Sequence, residues 1–76
     1  MSEGRQRDLQ KGMSGEDVKW WQQFLTEQEF DPGAITGVFN TQTHLATVTY
    51  QTAHGLPGTG IVDSTTRALR SVSGRS

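Results

Sequence analysis

Two histidines and eight carboxylates are the side chains of this sequence that could hold a metal or move a proton, and their spacing argues against both. His44 and His54 stand ten positions apart in one helical segment, which sets them about 80° apart around the axis, so they cannot chelate one ion together. His44 reads as a solvated surface residue, and His54 as a helix C-terminal residue that interacts favourably with the dipole. With no cysteine, a thiolate zinc site, a disulfide and a cysteine nucleophile are all excluded. A hydrolase needs two carboxylates, or a nucleophile and a base, held in one cleft. The acids here fall instead in caps (Asp17, Asp63), a turn (Asp31) or solvated helix ends (Glu16, Glu27, Glu29). The chain is therefore expected to be non-catalytic, with no metal and no cofactor.

Binding chemistry has better candidates. Trp20 and Phe24 are i and i+4 on the first helix but lie roughly 90–130° from the middle of its Val18/Trp21/Leu25 face, so both are expected to be partly exposed. Such rings could stack on sugars, dock on a protein, or cover the N-terminal arm near Leu9 or the 30–35 loop. Thr41, Thr43, Ser64 and Thr66 gather at two helix N-termini, where free N–H groups cap locally or receive a carboxylate, and Arg67 could pair with the same carboxylate. Leu45 and Val48 point away from the inner face of the second helix and suggest a surface for a partner, a neighbouring domain or a second copy, so a monomer or weak homodimer is expected. Gln22 and Gln51, beside core positions, are expected to bond loop backbone that lacks a partner.

Three helices must position these residues. Ser14 with Asp17 three residues later opens a helix over about 15–28, and Asp31-Pro32-Gly33 makes a turn after it. Asn40 caps a second helix over about 41–54, whose inner face is Thr43, Ala46, Thr47, Tyr50 and His54, and Gly55-Leu56 closes it. Asp63 begins a third over about 64–70, carrying Ala68 and Leu69 and too short to stand alone. The second and third starts repeat each other at an offset of 23: Gly37/Gly60, Val38/Ile61, Phe39/Val62, Asn40/Asp63, Thr43/Thr66. The expected fold is all-α, a compact three-helix bundle with an internal repeat of loop plus helix. It spans 9–70, between a flexible arm (1–8) and a flexible tail (71–76).

Seventy-six residues make one small domain. A net charge of −1 with scattered Lys and Arg gives no basic stripe for nucleic acid, and no apolar run is long enough to span a membrane. Residues 1–5 lack the hydrophobic stretch of a secretory signal, so work outside the cytoplasm would call for a larger parent chain or a delivery apparatus.

From Leu9 to Leu69 the sequence resembles the peptidoglycan-binding domain family. The resemblance is carried by Leu9, Lys11-Gly12, Gly15, Asp17-Val18, Gln22, Leu25, Gly37, Phe39, Thr43, Ala46, Gln51, Gly55-Leu56, Gly60, Val62-Asp63, Thr66 and Leu69 at the family's spacing. It departs at Trp21, where Leu is usual, Thr47 for Val, Tyr50 for Phe, Asn40 for Gly, and Thr41 and Ser64 for Pro. Glu29 stands where the family closes the first helix with Gly, a substitution that costs about 1 kcal/mol if the backbone there is left-handed. The resemblance implies a three-helix module that binds peptidoglycan at the bacterial cell wall, without chemistry of its own, for a fused hydrolase or another associated protein. The alternative is a structural or adaptor domain of the same fold, docking through Trp20, Phe24, Leu45 and Val48 onto a protein in a phage, secretion or injection assembly.

Overall fold

The computed structural model describes residues 7–73, with side chains as far as Ala68. Three α-helices follow in order: α1 (Glu16–Glu27), α2 (Thr41–Ala53) and α3 (Ser64–Ser73). α3 runs three residues beyond the end expected from the sequence. Of the arm and tail expected at the ends, residues 1–6 and 74–76 lie outside the described residues, as does the Leu69 side chain. Among the described residues there are no strands, only two isolated antiparallel bridges, Leu9 with Val62 and Ser14 with Val38.

Those bridges lace the segment before α1 across both loops. Leu9 N–H donates to the Val62 carbonyl at 3.1 Å and receives the Val62 N–H at 2.8 Å, while Phe39 N–H donates to Met13 at 2.8 Å. The bridge at Ser14 also moves the start of α1. Because Ser14 is paired with Val38, the chain turns into the helix one residue later, at Gly15 (φ 142°), and no side chain caps the first turn. The Ser14 cap expected from the sequence is not made. Asp17 instead accepts from Val18 N–H at 2.9 Å and pairs with Arg7.

The other caps form as the sequence predicts. Asn40 Oδ1 accepts the Thr43 N–H at 2.9 Å and Asp63 Oδ1 the Thr66 N–H at 3.0 Å. At its C-terminus α2 closes with Gly55 in the left-handed region (φ 81°), Leu56 N–H reaching the Gln51 carbonyl and Gly55 N–H that of Thr52. α1 closes with the same pair of bonds, Phe30 to Leu25 and Glu29 to Thr26, but the left-handed residue is Glu29 (φ 69°).

The core consists of Leu9, Val18, Trp21, Phe24, Leu25, Phe39, Ala46, Tyr50 and Val62, with Met13 and Phe30 packed against it. Tyr50 is its hub. Trp21, Phe24 and Phe30 each meet the tyrosine ring edge-on, with centroids 5.5 Å away and planes 81–89° apart, the favourable arrangement of ring quadrupoles. The Trp21 indole N–H donates to Thr47 Oγ1 at 2.9 Å, and that hydroxyl donates to the Thr43 carbonyl at 2.8 Å. Two departures from the family pattern, Trp for Leu and Thr for Val, thus answer each other: the larger ring brings a buried donor, and the hydroxyl accepts it.

Candidate binding surface

Each buried glutamine sits at the centre of a polar wheel, and the two wheels are copies. Gln22 Nε2 donates to the Val38 carbonyl and to Thr43 Oγ1, both at 3.0 Å, while its Oε1 accepts the Gly37 N–H at 2.8 Å. Gln51 Nε2 donates to the Ile61 carbonyl at 2.8 Å and to Thr66 Oγ1 at 3.0 Å, and its Oε1 accepts the Gly60 N–H at 2.9 Å. The expected role of Gln22 and Gln51, satisfying loop backbone, is met in full. These two side chains are engaged with their own loops and are not presented to a ligand.

The carboxylate-receiving reading of the helix N-termini is corrected by the same bonds. Thr43 is wholly buried, its hydroxyl taking the Gln22 amide and lying 3.0 Å from Asn40 Oδ1 and 3.2 Å from the Pro32 carbonyl. Thr66 is likewise buried. Arg67, read as a partner for the same carboxylate, donates instead to the carbonyls of Val62 at 3.1 Å and Arg7 at 3.0 Å, because its side chain is long enough to reach back over the Leu9 bridge. Thr41 and Ser64 are exposed.

At the start of α1 a second arginine closes the fold. Arg7 Nε lies 2.8 Å from Asp17 Oδ2 and its Nη2 donates to the Ser14 carbonyl at 2.7 Å. The Arg7 hydrogen bond is the main influence holding the Asp17 carboxyl below the usual range. The Asp63 carboxyl is lowered chiefly by the Thr66 backbone N–H that it caps. Both acids are structural. His44 is half-buried rather than solvated: its imidazole lies over Gly60, where a Cβ would collide with it. His54 is exposed at the C-cap of α2, its ring 4.5 Å from Tyr50. Among the described residues no three His, Asp or Glu side chains gather to hold a metal ion, and no helix is long and apolar enough to cross a membrane.

The accessible apolar side chains divide into separate places. Trp20 is 37% exposed on the outer side of α1, whereas Phe24, expected beside it at the surface, is almost wholly buried against Trp21 and Tyr50. The helical wheel misplaces Phe24 because the tyrosine hub widens the buried face beyond the Val18/Trp21/Leu25 stripe. The Trp20 and Phe24 rings still stack, centroids 6.1 Å apart and planes at 14°. They line a shallow hollow of about 280 Å³ with Gln23 and Glu27. Gln23 and Glu27 are not among the binding residues expected from the sequence; their i+3 and i+7 spacing from Trp20 is the signal that finds them.

Leu45 is exposed by 55% and lines a second hollow with Phe30, Asp31, Gln42, Ala46 and Thr49. Val48 is half-covered, packed beneath the turn at Gly58, and does not join Leu45 in an open apolar face. A third hollow lies where the loop after α2 meets α3, between Leu56, Pro57, Thr59, Asp63 and Thr65.

Residues 14–69 match the family described as the putative peptidoglycan binding domain, and the chain belongs to that family. Among solved structures it is similar to the SleB N-terminal domain, at 32% identity and a TM-score of 0.84, over 91% of this chain and 94% of that one. No curated protein matches the chain. Membership of the family makes peptidoglycan its ligand and the cell wall its place of action.

Proposed function

We propose that the chain is a non-catalytic targeting module that holds an associated protein, such as a fused hydrolase, against peptidoglycan. Family membership supports the ligand. The observation that carries the non-catalytic part is the occupation of the polar side chains: Gln22, Gln51, Thr43, Thr66, Arg67, Asp17 and Asp63 all bond within the fold. Catalysis would need an acid–base pair or a nucleophile aimed into a cleft, whereas the fold spends these groups on its loops and caps. A module of this kind works by effective concentration, keeping a linked active site near its next bond even when its own affinity is modest.

The adaptor reading draws less support, since two of its four docking residues, Phe24 and Val48, are wholly or partly packed away. The test is incubation of the chain with purified sacculi, followed by centrifugation and assay of both fractions. The expected result is chain in the pellet and no soluble wall fragments in the supernatant. Release of fragments would remove the non-catalytic reading, and chain left in solution would remove the targeting one.

A further inference from the structure

The outer face of α1 carries a feature that neither the polar wheels nor the caps use. Trp20 keeps over a third of its surface in solvent while its plane is held by stacking on Phe24, itself locked in the core. An aromatic plate fixed in this way loses little conformational entropy when a ligand covers it. Gln23 and Glu27, both exposed, line the same hollow and offer an amide and a carboxylate beside the plate.

We infer that this hollow is a subsite for the glycan strand of peptidoglycan, one N-acetylated pyranose ring stacking on Trp20 while its hydroxyl and amide edge bonds to Gln23 and Glu27. The inference rests on the wall-binding reading and specifies which half of the polymer is held. A pyranose ring has an apolar C–H face and a rim of hydrogen-bonding groups, which matches an apolar plate with a polar border. The described lining contains a carboxylate and no cation, so it suits a neutral sugar and repels the carboxylate ending a stem peptide. At the helix N-termini that could have taken that carboxylate, the Thr43 and Thr66 N–H groups already bond Asn40 and Asp63. A hollow of about 280 Å³ lined by Trp20, Gln23, Phe24 and Glu27 is sized for a single ring, and these are far fewer residues than the roughly 20–30 a side of a stable protein interface.

The test uses the whole chain with chitotetraose, a peptide-free chain of N-acetylhexosamine, followed by ¹H–¹⁵N NMR, and with sacculi in a pelleting assay. Chitotetraose is expected to shift the Trp20 indole N–H and the Gln23 and Glu27 amides, leaving the Trp21 indole, bonded to Thr47, in place. Trp20→Ala is expected to raise the dissociation constant roughly tenfold, as loss of a central aromatic anchor does. The double variant Gln23→Ala/Glu27→Ala, at two exposed positions, should weaken binding several-fold with the melting temperature unchanged, and it decides the matter if Trp20→Ala does not fold. If the wild-type chain pellets with sacculi while chitotetraose leaves the Trp20 signal unmoved and the double variant pellets equally well, the glycan subsite is wrong and wall binding stands. If the wild-type chain does not pellet, both fall.

Discussion

The two polar wheels do the same job with different dependents. Gln22 ties α1 to the loop entering α2, so its wheel joins the two helices that build the aromatic core. Gln51 ties α2 to the loop entering α3 and secures the last helix. The same hydrogen bonds therefore have unequal consequences: one wheel underwrites the whole fold, the other mainly its final segment.

Replacing each glutamine by leucine breaks this comparison most directly. Gln22→Leu leaves the Gly37 N–H, the Val38 carbonyl and the Thr43 hydroxyl short of a buried partner, and at about 1–3 kcal/mol for each such group it should remove most of the stability of a domain this small. Denaturant melts should show a global loss. Gln51→Leu strips an equivalent set of groups, but hydrogen exchange should show the loss concentrated at Gly60 and in α3, with α1 amides still protected.

Thr47→Val comes next. It restores the residue usual in the family but leaves the Trp21 indole N–H buried without its acceptor, so a loss of about 1–3 kcal/mol is expected by denaturant unfolding. Adding Trp21→Leu should recover part of that loss, a coupling that a double-mutant cycle measures.

The helix ends differ in the opposite direction, because α2 closes on Gly55 and α1 on Glu29 in nearly the same left-handed conformation. Glu29→Gly should stabilise the chain by up to about 0.5 kcal/mol, the relief of about 1 kcal/mol of Cβ strain less the entropy that glycine loses on folding. A lower melting temperature would contradict the strain argument.

The smallest effect separates the caps. Asn40 does not titrate, whereas Asp63 has a carboxyl lowered in the folded state by the Thr66 N–H. A depressed acid contributes stability that is present above its unfolded pKa of about 3.9 and is lost as pH falls through the lower folded value. Acidification below about pH 4 should thus weaken protection of the Thr66 amide before that of Thr43. Asp63→Asn should remove the difference. Asp17, lowered by Arg7, adds an acid-sensitive term at the start of α1.

Much of this was legible in the sequence because it is local. Asn40 and Asp63 announce two helix starts, Gly55-Leu56 one end, and the place of Gln22 and Gln51 beside core positions predicts that each serves loop backbone. What was not legible depends on contacts between distant residues. Ser14 loses its cap role to a bridge with Val38, which no helical pattern reveals. Arg67 is turned inward by a carbonyl 60 residues earlier in the chain. Phe24 is buried because Tyr50 of another helix reaches over it, and a wheel drawn for one helix cannot show that. Trp20, in contrast, was read correctly as exposed, since nothing among the described core residues displaces it from the side its spacing predicts.

The most direct measurement for the central claim is depletion of the whole chain from solution by increasing amounts of purified sacculi. The account predicts saturable removal, with the sacculi left intact at the end. A chain that remains in solution at every sacculus concentration, while folded by circular dichroism, would contradict it.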